Sequence, residues 1–245
     1  MAKKKPRKRN VPPQRMSLAE RKAVPAILSR TASKLVGCSR WPFRLCTINA
    51  DWQESLVASI VMTRRRPDGG IVVACYYVDL GCLGVKKAII QVNATQDFVD
   101  RLLKMTSMQA EVVNCDPALA VKIIEESVRY AESIGFKPAD KDFMAARLLY
   151  RGVDPGSCPE PVICGKDGMP YYVNGPDDDV HAILVHLDAR FGPDGFIFIE
   201  GDPDMAGYDS FDEDYDEDYD DDYDDVYDYD DNDDDDGADD GGKAR

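Results

Sequence analysis

Asp79 directly follows eight residues, Ile71 to Val78, that carry no charge. An acid so placed must be paired, bind a cation or stand at the rim of the core. With Asp51 and Asp142 as partners it could hold Mg²⁺ or Mn²⁺ and hydrolyse a phosphate ester, a reaction in which paired cations stabilise attacking and leaving oxygens. Glu125 and Glu126 are set aside, because helical spacing turns them toward solvent. The plainer reading of Asp79 is a strand-end acid capping a turn.

Other constellations carry less. Gly81-Cys-Leu-Gly84-Val-Lys86 lacks the spacing of a phosphate loop, and a strand rather than a helix follows it. It reads as a bend. Cys158 and Cys164 with His181 and His186 have the residue types of a zinc site. The first spacing is too long, and the histidines, five apart on one helix, diverge by roughly 140°. They are the chain's two histidines, and no G-x-S-x-G elbow offers a nucleophile to pair with them.

The terminal segments hold the strongest signal. Residues 1–16 carry seven Lys or Arg and no acid, with Lys3, Lys4, Lys5, Arg7, Lys8 and Arg9 clustered. Residues 202–245 hold 23 acids, two bases and six tyrosines, whereas 17–201 is nearly neutral. Both ends have too little apolar mass for a core and are expected to be disordered. The arm suits phosphates or a nuclear address. The tail suits basic protein regions, with its tyrosines offering cation–π contacts.

The elements between these ends follow from periodicity. Ser17 to Glu20 matches a capping box that opens a helix, Pro25 disturbs it, and Gly37 stops it. Strands are expected at 43–49, 56–65, 71–78 and 86–93, with Pro67-Asp68-Gly69-Gly70 turning the second into the third. The unbroken apolar run at 71–78 predicts cover on both sheet faces, by helices or by a second copy of the chain. Helices follow at 95–105 and from Asp116, an N-cap with Pro117 at N1, to Gly135. A short helix at 142–150 and a hairpin at 161–173 turning on Lys166-Asp167-Gly168 come next. A helix at 177–190 and a strand at 196–200 close the body.

This pattern predicts one α+β domain over 17–201, mainly an antiparallel sheet with helices packed against it, between a disordered basic arm (1–16) and a disordered acidic tail (202–245). Three antiparallel strands bearing an acid, followed by helices, resemble the ribonuclease-H-like plan. That resemblance implies a nuclease whose carboxylates hold two cations.

Seven cysteines without a disulfide-like framework, no apolar run behind the basic N-terminus and no stretch of about 20 apolar residues predict a soluble intracellular protein. The expected place is cytoplasmic, or nuclear in a eukaryote. The favoured reading is a non-enzymatic interaction protein without a cofactor. Its partners are a basic protein region for the tail and non-specific nucleic acid for the arm, with no membrane and with self-association open. The alternative is the Mg²⁺- or Mn²⁺-dependent hydrolase centred on Asp79.

Overall fold

The computed structural model describes residues 31, 33–138 and 142–201. The basic arm, the acidic tail and most of the helix expected from Ser17 lie outside the described residues.

The turn at Pro67–Gly70 forms as its residue types predict. Gly70 N–H donates to Asp68 Oδ1 (3.0 Å), Arg66 N–H donates to Gly70 O (2.8 Å), and Gly69 takes φ 91°. It joins β2 (Val57–Arg65) to β3 (Ile71–Asp79) in unbroken register, with Val57 opposite Asp79. β1 (Phe43–Asn49) pairs with β2, and β4 (Gly84–Ala94) pairs with β3. A fifth strand, β5 (Val112–Asn114), joins β1, so the antiparallel order is β4-β3-β2-β1-β5. Four strands were expected here; three residues are too few to display alternation. A one-turn helix, α1 (Trp52–Ser55), links β1 to β2.

One sheet face carries the main core. Ala58, Ile60, Met62, Val72, Ala74, Tyr76 and Val78 are fully buried there, in one cluster with Ala120, Ile123 and Ile124 of α3 (Pro117–Ser133). Asp116 caps α3 by accepting Ala118 N–H at 2.8 Å, and Gly135 (φ 99°) follows its end, as the sequence predicts. The short α4 (Phe143–Ala146) and Leu149 extend this layer, and Tyr76 Oη donates to Ala146 O at 2.7 Å.

The opposite face is covered less evenly. Val61, Thr63 and Val73 are buried, as are Val99 and Leu102 of α2 (Gln96–Ser107). Cys75, Tyr77 and Ile89 keep partial exposure. The apolar run of β3 is therefore sealed on the α3 side and partly open on the other.

A smaller unit follows. The turn at Lys166–Met169 closes with two backbone hydrogen bonds of 2.9 Å. The expected hairpin over 161–173 does not continue from it, which corrects the sequence reading. Pro161 brings no N–H to a ladder, and Val162 and Cys164 pack on the main core. Instead β6 (Tyr171–Val173) pairs in parallel with β7 (Ile197–Ile199), across α5 (Val180–Phe191). Cys82, Ile134, Tyr172 and Leu187 form a second buried cluster there.

Candidate functional site

Asp79 ends β3 and is 8% exposed. Its Oδ1 accepts Cys82 N–H at 2.8 Å across the turn into β4. Burial pushes the carboxyl up to about 6, opposed by the Cys82 N–H bond and the Lys86 charge. The turn it braces inserts into the second core, where Cys82 is fully buried. Tyr171 N–H donates to Gly81 O (3.1 Å) and Gly165 N–H donates to Leu80 O (2.9 Å). A Cβ at Gly81 would stand 2.1 Å from Tyr171 O, so only glycine fits this approach. Gly84 (φ 73°) then restarts the strand.

Beside this turn Lys86 Nζ meets Asp178 Oδ2 at 2.8 Å, and both side chains are largely buried. The same oxygen accepts Gly175 N–H (2.8 Å) and the Tyr172 hydroxyl (3.2 Å). Burial, then the Asp178 charge, raises the Tyr172 phenol well above its ordinary range. Lys86 and Asp178, with Tyr172, thus fasten the β6–α5–β7 unit to the main sheet beside the turn that Asp79 braces. In this arrangement Asp79 works as a turn brace, holding the Cys82 N–H.

The other candidates serve separate turns. Asp51 is exposed before α1, and its Oδ1 accepts Asn49 Nδ2 (2.8 Å). Asn49 also donates to Val57 O (2.9 Å) and accepts Ser59 N–H (2.8 Å), so this pair shapes the β1–β2 link. Asp142 is exposed ahead of α4, where its carbonyl accepts Ala145 and Ala146 N–H (3.0 and 2.9 Å). Among the described residues no three His, Cys, Asp or Glu side chains are grouped to hold a metal ion. The two-cation site implied by the ribonuclease-H-like resemblance therefore has no assembled ligand set among them. Lys3, Lys4, Lys5, Arg7, Lys8 and Arg9 lie outside the described residues.

The histidines part as their spacing predicts. His181 is exposed, whereas His186 packs on Phe136 (4.6 Å between ring centroids) and its Nε2 donates to Ile134 O at 2.9 Å. That carbonyl can only accept, so Nε2 carries the proton.

Three buried or half-buried charges escape a reading by sequence pattern. Arg64 is 3% exposed, caged by the carbonyls of Leu149 (2.7 Å), Trp41 and Ser39, and stacked on Phe43. Its signal was strand parity, since Ala58, Ile60, Met62 and Arg64 share one face of β2. Lys122 Nζ donates to Cys158 O (2.9 Å) and Glu160 O (2.6 Å). Glu125, expected toward solvent, is half-buried against Arg147 and Tyr150. The polar side of α3 is therefore partly covered by the chain from Phe143 to Glu160, which helix periodicity alone does not reveal.

No helix among the described residues is long and apolar enough to cross a membrane. No protein-family model, curated protein or solved structure matches this chain.

Proposed function

We propose that this chain is a non-enzymatic interaction protein whose terminal segments bind macromolecules of opposite charge, the acidic tail a basic protein region and the basic arm nucleic acid phosphates. The carrying observation is the division of charge: seven bases and no acid in residues 1–16, and 23 acids against two bases in 202–245. The body supports this reading because its buried charges are engaged in holding it together. Arg64 is held by carbonyls, Lys86 by Asp178, and Asp79 by the β3–β4 turn.

Six clustered cations bind a polyanion through counterion release, so affinity for duplex DNA falls with salt at a log–log slope no steeper than about −5. The acidic segment repels the same polyanion. The test compares the full chain, a truncation ending at Gly201, and that truncation also lacking residues 1–16. Each is titrated with duplex DNA, single-stranded RNA and a polylysine peptide at low and moderate salt. Loss of the acidic segment strengthens nucleic acid binding and weakens polylysine binding; further loss of residues 1–16 abolishes the former. If neither deletion alters either titration, the proposal fails.

A further inference from the structure

Thr47 of β1 faces Asn114 of β5, so the next rung of the antiparallel ladder sets Cys46 against Cys115. Cys115 N–H donates to Cys46 O at 2.9 Å, which makes this a hydrogen-bonded rung. Such rungs hold their Cα atoms about 5.5 Å apart with both side chains on one face. That separation lies inside the range a disulfide spans, about 4.4–6.8 Å, while the Cβ atoms of such a rung start wider than the about 3.5–4.5 Å of a relaxed disulfide, so the edge strand must draw in and the bond is a readily reduced one. Both residues contribute to one side of the sheet: Cys46 is in the main core and Cys115 packs against it.

The two thiols differ. Cys46 is 7% exposed, whereas Cys115 is partly open at the edge strand, one residue before the N-cap of α3. Cys115 Sγ lies 3.4 Å from Asp116 O; hydrogen bonding from the Cys46 thiol lowers the Cys115 thiol against the opposing effect of burial, and the same bond, then burial, raises Cys46. Burial pushes Cys75 and Cys164 up to about 12, and Cys38 donates to Leu148 O at 2.9 Å.

We infer that Cys46 and Cys115 form a reversible disulfide, with Cys115 the thiol attacked first and Cys46 the one that resolves it. With a hydroperoxide as oxidant, the Cys115 sulfur attacks the O–O bond. One oxygen remains as the sulfenic acid and the other leaves, protonated, as water or an alcohol. The Cys46 sulfur then displaces the sulfenic oxygen, which departs as water with the thiol proton, and the S–S bond forms. Two electrons pass from the thiol pair to the peroxide, and a dithiol reductant returns them. The bond closes a loop running through β2, β3, β4 and α2 and pins the short edge strand, so the oxidised protein unfolds at a higher temperature.

The test uses the full-length protein, reduced and then exposed to hydrogen peroxide, with non-reducing peptide mass spectrometry as the readout. The expected result is one dominant cross-link joining the Cys46 and Cys115 peptides, reversed by dithiothreitol and absent from Cys115→Ser. In Cys46→Ala, Cys115 accumulates as sulfenic acid, captured by dimedone at least about tenfold more than in the wild type. Since Cys46 is a core position, circular dichroism confirms that this variant is folded. Cys115→Ser alters a partly open site and, if Cys46→Ala unfolds, decides the matter by the cross-link alone. A dominant disulfide between other cysteines, or equal dimedone capture in wild type and folded Cys46→Ala, overturns the inference.

Discussion

One nitrogen of the Arg147 guanidinium donates to both carboxylate oxygens of Glu125, at 3.0 and 2.9 Å. The Tyr150 hydroxyl donates to the same carboxylate at 2.7 Å, and the Tyr150 ring lies 5.8 Å from that of Tyr76. A polar group on α3 is thus joined through Tyr150 to an aromatic contact at the centre of the sheet. Tyr150 is 6% exposed, and its hydroxyl accepts Arg147 Nε–H at 3.2 Å while giving its own proton to that carboxylate.

Glu125→Ala is expected to lower unfolding free energy by about 2 kcal/mol, because it leaves the proton of a buried hydroxyl without an acceptor and removes charge-assisted bonds. Tyr150→Phe should cost about 1 kcal/mol. Urea unfolding of the single and double variants measures both and their coupling. A Glu125→Ala change under about 0.5 kcal/mol would reduce the group to an ordinary surface ion pair.

Asp79 sets a pH dependence of defined sign. Its carboxyl titrates near 6 in the folded protein, above the ordinary 3.8, because burial disfavours the charge. The native state thus holds the proton more tightly than the unfolded chain. The Asp79 contribution to stability is therefore full below about pH 4 and declines as pH rises to about 6. Asp79→Asn keeps an acceptor for Cys82 N–H without the charge. It should match the wild type at pH 4 and exceed it at pH 7 by up to about 3 kcal/mol. Asp79→Ala, which orphans that N–H, should lose about 1–3 kcal/mol at pH 4. The same Asn variant tests the hydrolase alternative. Mg²⁺- or Mn²⁺-dependent cleavage of nucleic acid by the wild type, lost in a folded Asp79→Asn, would assign the carboxylate to catalysis.

Gly81→Ala places a methyl group against the Tyr171 carbonyl, where backbone rather than a flexible side chain must give way. The expected loss is about 2 kcal/mol or more. Alkylation of Cys82 should accelerate, as the second core parts from the turn. Gly69→Ala is the control. Gly69 has φ 91° but nothing within 4 Å, so only backbone strain of about 1 kcal/mol is expected.

Much of the architecture was legible in the sequence because its signals are local. The Pro67–Gly70 turn, the Asp116–Pro117 cap and the apolar runs of β2 and β3 each specify their own stretch of backbone. The α+β class and the antiparallel ribbon follow from those runs, and the division of charge between the chain ends is composition alone. Arg64 went unread, although strand parity sets it on the inward face of β2 with Ala58, Ile60 and Met62.

Only the tertiary structure decided what the charged side chains do. Glu125 sits on the polar side of α3 by periodicity, and it is half-buried because Arg147 and Tyr150, more than twenty residues later, fold over it. Asp79 reads more plainly as a turn cap than as a metal ligand, but which backbone it braces shows only when Cys82 N–H is seen on its carboxylate and Tyr171 against Gly81. The Lys166 turn promised a hairpin, yet β6 chose a parallel partner 26 residues on. Cys46 and Cys115 become a pair only when β5, too short to announce itself, docks beside β1. In each case the deciding partner is distant along the chain, and periodicity reports which way a side chain points, not what will be waiting there.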